Sequence, residues 1–343
     1  MDFIDLFAGI GGMRLGLEEA GGKCVFSSEI DRHAQDTYEA NFGERPLGDI
    51  RDIGEGEIPF HDILLAGFPC QPFSQAGLKQ GFSDTRGTLF FDIQRIISHH
   101  RPPIVLLENV KQLKGHDQGR TLKTITSVLE GNSVDIATNE TTISVDATRA
   151  RYHVSWRILN AKDYGVPQNR ERIFILALRT DLFSLFDAEA VFSRTKTRTK
   201  DSEKLGSILQ PTSEVDESYT LSDKLWAGHK RRRDEHANKG YGFGYSLFNN
   251  DSPYSSTISA RYYKDGSEIL IDQSHLGKNP RMITPREAAR IQGYPENFVI
   301  SACLDSEIYR QFGNSVALPV VRSLAQEITP LLEQIPQTSG PSK

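Results

Sequence analysis

Phe68-Pro69-Cys70-Gln71-Pro72-Phe73-Ser74 holds a thiol between two prolines, directly after the strand-like run Asp62-Ile63-Leu64-Leu65-Ala66-Gly67. Each proline fixes its own φ and pushes the residue before it out of helical geometry. The cysteine is therefore mounted on a stiff, extended loop at a strand's carboxyl end, where α/β sheets place their ligands. Its thiolate would be a nucleophile; a buried structural cysteine is the alternative this segment leaves open. Glu108-Asn109-Val110 follows the apolar run 104–107 and sets a carboxyl at a neighbouring strand end. That group is either a solvated acid or, if partly buried, a general acid with its pKa raised toward neutrality. Gln168-Asn169-Arg170-Glu171-Arg172 precedes the apolar run 173–178 and sends two guanidinium groups toward the same edge. They suit planar, bidentate contacts to carboxylate or phosphate, or ion pairs of a surface turn.

A second group of residues suits a nucleoside. Phe7-Ala8-Gly9-Ile10-Gly11-Gly12 departs from the Gly-x-Gly-x-x-Gly of dinucleotide folds but still brings bare backbone to a helix amino terminus. Glu29 lies about twenty residues on, at the end of the second strand, where such folds hydrogen-bond a ribose. Asp49-Ile50, after another expected strand, adds an acidic contact and an apolar face for an adenine ring. Together they point to a nucleoside-bearing cofactor, and the glycine spacing makes NAD the poorer fit.

The elements that must hold these residues read as α/β. Residues 3–7, 24–29, 63–66, 104–107 and 173–178 are short apolar strands, and 13–20, 32–41 and 89–97 have helical spacing. Strand, glycine turn, helix, strand opens a doubly wound parallel sheet. Regularity fades after about residue 180, and 186–278 reads as a smaller domain of loops and short strands, including Thr257-Ile258-Ser259-Ala260-Arg261-Tyr262-Tyr263. Thr284 and Pro285 open a helix as N-cap and first helical residue, and residues 316–332 form another that packs back on the first domain. Residues 1–185 thus form one domain, 279–335 complete it, and 336–343 form a disordered tail. The polar stretch 131–152 reads as a loop insertion.

The 343 residues and ordinary composition fit a soluble globular chain, with a net charge of −5. Residues 148–240 carry about five more Lys and Arg than Asp and Glu. Arg194-Thr195-Lys196-Thr197-Arg198-Thr199-Lys200 and Lys230-Arg231-Arg232-Arg233 are the densest basic stretches, suited to phosphate contacts or to solvated loops. No apolar run is long enough to cross a bilayer and the amino terminus lacks a signal-peptide pattern. Three scattered cysteines give neither zinc spacing nor a disulfide framework, so no metal is expected and a reducing cytoplasm fits.

Taken in order, Asp5-Leu6-Phe7-Ala8-Gly9-Ile10-Gly11-Gly12, Gly67-Phe68-Pro69-Cys70-Gln71-Pro72-Phe73-Ser74, Glu108-Asn109-Val110, Gln168-Asn169-Arg170-Glu171-Arg172 and Gln311-Phe312-Gly313-Asn314-Ser315-Val316 resemble the DNA (cytosine-5)-methyltransferase family. The resemblance spans residues 3 to about 325. It implies a Rossmann-like S-adenosylmethionine-dependent methyltransferase sheet with a smaller loop- and strand-rich target-recognition domain. It further implies that Cys70 adds to carbon 6 of cytosine and that Glu108 acts at ring nitrogen 3. Arg172 contacts the base, and Arg170 lies in the same active-site motif.

For S-adenosyl-L-methionine, the resemblance implies contacts from Phe7, Gly9, Gly11, Glu29, Ile30, Asp49, Ile50, Pro69, Leu89 and Asn314. For double-stranded DNA, it implies Ser74 and Arg86 on a mobile loop, and Tyr241, Phe243, Thr257, Arg261 and Lys264 in the small domain. The target would be a short C/G-rich palindrome such as CCGG or CCWGG. The family pattern also implies a stand-alone bacterial or phage enzyme of a restriction–modification system. Such an enzyme acts as a monomer in the cytoplasm, on DNA of the nucleoid, with no obligate protein partner. A cognate endonuclease would cut the same site without binding the enzyme. A transfer-RNA methyltransferase on the same scaffold would more typically read Pro-Pro-Cys-Gln-Pro-Phe-Thr, and the intact Cys70, Glu108, Arg170 and Arg172 argue against a catalytically inactive DNA-binding regulator.

Overall fold

A computed structural model describes residues 1–69, 89–134, 141–142, 150–195, 204–240, 242, 244–300 and 304–335. In chain order the main elements are β1 (Asp2–Leu6), α1 (Gly12–Glu18), β2 (Lys23–Ser28), α2 (Arg32–Phe42), β3 (Ile63–Gly67), α3 (Leu89–His100), β4 (Ile104–Val110) and α4 (Arg120–Leu129). Then come β5 (Ser133–Val134), β6 (Thr141–Thr142), β7 (Tyr152–Asn160), β8 (Glu171–Arg179), α5 (Leu185–Arg194) and α6 (Asp223–Asn238). Last are β9 (Leu247–Phe248), β10 (Leu270–Ile271), β11 (Arg281–Met282), α7 (Pro285–Ile291), α8 (Asp305–Asn314) and α9 (Leu318–Glu333).

Six strands form the main sheet in the order β2-β1-β3-β4-β8-β7. The first four are mutually parallel, whereas β8 runs antiparallel to both β4 and β7. The expected all-parallel sheet is corrected at this edge. Only residues 161–170 separate β7 from β8, too few for the crossover helix that parallel neighbours require.

The central strands are largely apolar toward both sheet faces, as strands buried on two sides should be. Phe3, Leu65, Leu106 and Phe174 face Met13 and Leu17 of α1, Val191 of α5, and Val321 and Leu324 of α9. Ile4, Leu64, Val105 and Ile175 face Phe90 and Ile93 of α3 and Ile125 of α4. Gly16 lets α1 and α9 meet closely, since a Cβ there would stand 2.6 Å from Val321.

A third core joins the small domain to the carboxyl-terminal helices: Leu205, Ile258, Tyr262 and Ile271 pack with Ala288, Tyr309 and Phe312. Here α7 begins as the sequence indicates, with Thr284 and Glu287 in a reciprocal capping box and Pro285 in the first turn. Other expectations for this half are revised. The small domain carries a 16-residue helix, α6, as well as β9 and β10, which form a three-stranded sheet with β11 of the segment that follows. Residues 257–263 make no strand, running extended into a 3-10 turn at Tyr262–Lys264. The strand expected before Asp49 is a single bridge between Ser28 and Leu47. Within 131–152, β5 and β6 pair antiparallel.

The basic run on α6 is largely used to fasten the helix. Arg232 bonds Asp265 at 2.8 Å, Arg233 bonds the Tyr245 hydroxyl at 2.8 Å, and the Lys230 ammonium lies 5.5 Å from the Trp226 ring centre. The basic stretch 196–200 lies outside the described residues.

Just before the amino end of β3, His61 is wholly buried, its Nδ1 2.9 Å from the Pro59 carbonyl oxygen and its Nε2 without a hydrogen-bond partner among the described residues. Burial pushes its pKa down from 6.5 to about 4, and the neighbouring His100 adds to the effect. Below pH 6.5 the unfolded chain takes a proton that the folded chain refuses, so stability falls as pH drops from 6.5 to 4. The total reaches about 3 kcal/mol at ~1.36 kcal/mol per pKa unit. Denaturant titrations across this range should show that loss, and His61→Leu should flatten the slope by about one proton's worth.

Candidate active site

A cavity of about 730 Å³ opens where the carboxyl ends of β1, β2, β3 and β4 meet the amino end of β8. It lies where an open α/β sheet reverses its strand order, since β1 has β2 on one side and β3 on the other. The antiparallel direction of β8 is what brings its first residues to this edge.

Nine of the ten residues expected at the cofactor line the cavity: Phe7, Gly9, Glu29, Ile30, Asp49, Ile50, Pro69, Leu89 and Asn314. Phe7 has φ 56°, a left-handed conformation that a non-glycine residue holds only when its surroundings enforce it. Gly9 is also left-handed, and a Cβ there would meet open space. Glu29 accepts the Gly9 and Asp31 N–H groups at 2.8 Å, one on each oxygen. Burial raises its pKa while those two N–H groups oppose the rise. Each oxygen keeps a lone pair for a ligand hydroxyl. Asp49 is held ionised by Arg51, whose Nε lies 2.9 Å from it. Ile30 is 64% exposed, an unusual state for an isoleucine beside a cavity.

Gly11 is the exception. It caps α1 at φ 83° and leaves room for Phe42, whose ring would stand 2.2 Å from a Cβ. Its contribution is to the turn, and it does not line the cavity.

The chemical end is built by β4 and β8. Val110 pairs directly with Arg172, so Glu108, two residues earlier on the same face, is its diagonal neighbour. Glu108 Oε1 lies 3.2 Å from Arg172 Nε, with both side chains mostly buried. Burial raises the Glu108 pKa, and Arg172 and then Arg170 restrain it. Burial likewise lowers that of Arg172. Gly67 stands beside Glu108 in the ladder and leaves its carboxyl open to the cavity. Asn109 donates to the Phe68 carbonyl at 2.8 Å, anchoring the start of the proline–cysteine segment.

Arg170 departs from expectation. It is fully buried, does not line the cavity, and its guanidinium donates to the carbonyls of Ile258 at 3.0 Å, Gly313 at 2.9 Å and Ser315. A side chain so occupied braces the site and does not reach into it. Thr257 lines the cavity and donates its hydroxyl to the Asn169 carbonyl at 2.6 Å. Arg261 and Lys264 are exposed, with no ion pair among the described residues. Cys70, Ser74, Arg86, Tyr241 and Phe243 lie outside the described residues. Cys24 is chemically quiet by contrast: burial pushes its thiol up to about 12.

Asp5 was not anticipated. It lines the cavity from within β1, almost wholly buried, with Oδ1 unpartnered among the described residues and its pKa pushed up by burial to about 7. A lone carboxylate in a strand apolar on both faces was the available signal.

Residues 1–330 match the family described as C-5 cytosine-specific DNA methylase. The chain belongs to that family. It is 52% identical to "Type II methyltransferase M.DsaV" of Dactylococcopsis salina, over 96% of this chain and 86% of the relative. It is also 52% identical to "Type II methyltransferase M.NlaX" of Neisseria lactamica, over 97% of each. The crystal structure of S. pombe Dnmt2 methyltransferase superposes with a TM-score of 0.72, covering 97% of this chain and 98% of the other. At 20% identity that likeness concerns the fold. The enzyme is a DNA cytosine-5 methyltransferase of the restriction–modification type. Among the described residues no group of three or more His, Cys, Asp or Glu is disposed to hold a metal, and no helix is long and apolar enough to cross a membrane.

If Glu108 supplies a proton in the reaction, Glu108→Gln should lower kcat by about 10²–10⁴-fold. The protein should remain folded, and the alkaline limb of the wild-type pH–rate profile should disappear. Single-turnover kinetics across pH would check both.

Proposed function

We propose that the enzyme transfers a methyl group from S-adenosyl-L-methionine to carbon 5 of a cytosine flipped out of a short, specific duplex sequence. The reaction proceeds through a transient bond to Cys70, and it protects host DNA from an endonuclease that cuts the same site. The observation that carries this reading is a buried carboxyl–guanidinium pair, Glu108 and Arg172, in the same cavity as Glu29 and the bare Gly9 backbone.

The lining fits the donor. Glu29 suits ribose hydroxyls, and Ile30 and Ile50 suit the faces of an adenine. When bound, the donor supplies an electrophilic methyl group.

The chain's own residues do the rest. Cys70 follows Pro69, a cavity residue, by one peptide bond. Its thiolate adds to carbon 6 of the ring. Glu108, its pKa raised by burial, donates to nitrogen 3 and draws electrons across the ring, so that carbon 5 becomes nucleophilic. Arg172 holds both Glu108 and the base. After methyl transfer a base, water among the candidates, takes the carbon 5 proton, the thiolate is expelled, nitrogen 3 returns its proton to Glu108 and the ring regains aromaticity. A stacked base cannot receive this attack, hence the flipping. Residues 186–278 would read the target, with Thr257, Arg261 and Lys264, together with Tyr241, Phe243, Ser74 and Arg86, contacting DNA. The enzyme would work as a monomer in the bacterial cytoplasm.

Duplexes carrying 5-fluorocytosine within CCGG or CCWGG, incubated with enzyme and donor, should give a stable adduct that peptide mass mapping places at Cys70. Cys70→Ala should form none while still binding DNA. Bisulfite sequencing of host DNA expressing the enzyme would define the site. If that site, once fluorinated, gives no adduct at Cys70, the mechanism fails. Methylation of transfer RNA in place of duplex DNA would overturn the substrate.

A further inference from the structure

Two segments that line the cavity, 257–260 and 313–316, are tied to the turn before β8 by one buried side chain, Arg170. Ile258 is gripped on both sides: its N–H donates to Gln168 Oε1 at 3.0 Å and its carbonyl accepts from Arg170 Nη1 at 3.0 Å. The other guanidinium nitrogen, Nη2, donates to the carbonyls of Gly313 and Ser315, on either side of Asn314. Gly313 and the loop meet backbone to backbone, since a Cβ on Gly313 would stand 2.4 Å from the Ser259 oxygen and the Ala260 nitrogen. Both sides of this contact line the cavity, Thr257 and Ser259 on one, Asn314 and Ser315 on the other. The guanidinium is fully buried and its hydrogen-bond partners are all neutral carbonyls, an arrangement that packing alone would not favour over an apolar side chain. What a rigid fork adds is geometric: none of the three segments can shift without the others.

We propose that Arg170 is a positioning residue that couples cofactor binding to DNA binding. Fixing the 313–315 segment from the cofactor side fixes the loop at Ile258, and with it the Arg261–Lys264 turn that follows. By linkage, target DNA tightens cofactor binding by the same factor. This inference rests on the reading of the cavity given above.

The test uses the full chain, S-adenosylhomocysteine as a cofactor probe without a transferable methyl, and a duplex bearing the site found by bisulfite sequencing. In the wild type, saturating S-adenosylhomocysteine should tighten duplex binding by about fivefold or more, and Arg170→Met should bring that ratio to within about twofold of unity. Arg170→Lys keeps a charge but loses the fork, and should recover the ratio only in part; Gln168→Met, which releases the Ile258 N–H, should lower it. A merely structural role would weaken each affinity and the melting temperature but leave the ratio unchanged. A wild-type ratio near one overturns the proposal. So does an undiminished ratio in Arg170→Met or, if that variant does not fold, in both Arg170→Lys and Gln168→Met. A wild type that methylates no duplex DNA would refute the proposed function instead.

Discussion

Glu108 and Arg172 meet because β8 runs against β4, and most of the site follows from that pairing. In a parallel ladder the first residues of β8 would lie at the far edge of the sheet, a full strand length from the cavity. Antiparallel register makes Arg172 the diagonal neighbour of Glu108. The guanidinium then opposes the ionisation penalty that burial imposes on the carboxyl, but does not remove it. The result is an acid that is held in place and still inclined to keep its proton. Asn109, next in the strand, ties the same edge to the carbonyl of Phe68, so Glu108 and the segment leading toward Cys70 share one anchor.

Such a site is costly to the fold. Asp5, Glu108 and Arg170 are charged groups or potential charges buried among apolar strands. Asp5 has one carboxylate oxygen without a partner among the described residues, and Phe7 holds left-handed geometry two residues later. Strain and desolvation gather at the carboxyl edge, while the two apolar faces of the sheet supply the compensating burial.

Much of this was legible in the chain. Strands apolar on both faces announce a sheet covered on both sides, and the Thr284–Pro285–Glu287 pattern fixes the start of α7. Strand ends and local spacing point to the glycine turn, Glu29 and Asp49-Ile50, and the family resemblance implies the rest; nine of those ten residues line one cavity. What the sequence hid depends on distant partners. The direction of β8 is set by a short connection and by β7, a half-buried strand with weak alternation. Arg170 and Arg172 look alike as residues two apart; only the segments packed above them make one a brace and the other a cavity residue. Gly11 resembles a ligand-facing glycine until Phe42 arrives from α2. The basic run on α6 reads as free charge, yet Asp265 and Tyr245 claim two of its arginines.

The seam between α1 and α9 has a consequence for how the protein is made. During synthesis β1 and α1 wait with one apolar face bare until α9 emerges from the ribosome, because Val321 and its neighbours on α9 cover that face. The segment from Gly313 to Val316, just before α9, also supplies part of the cavity wall. A nascent chain therefore carries Cys70 and Glu108 long before it has a closed pocket, and the pocket is complete only once α9 has been made.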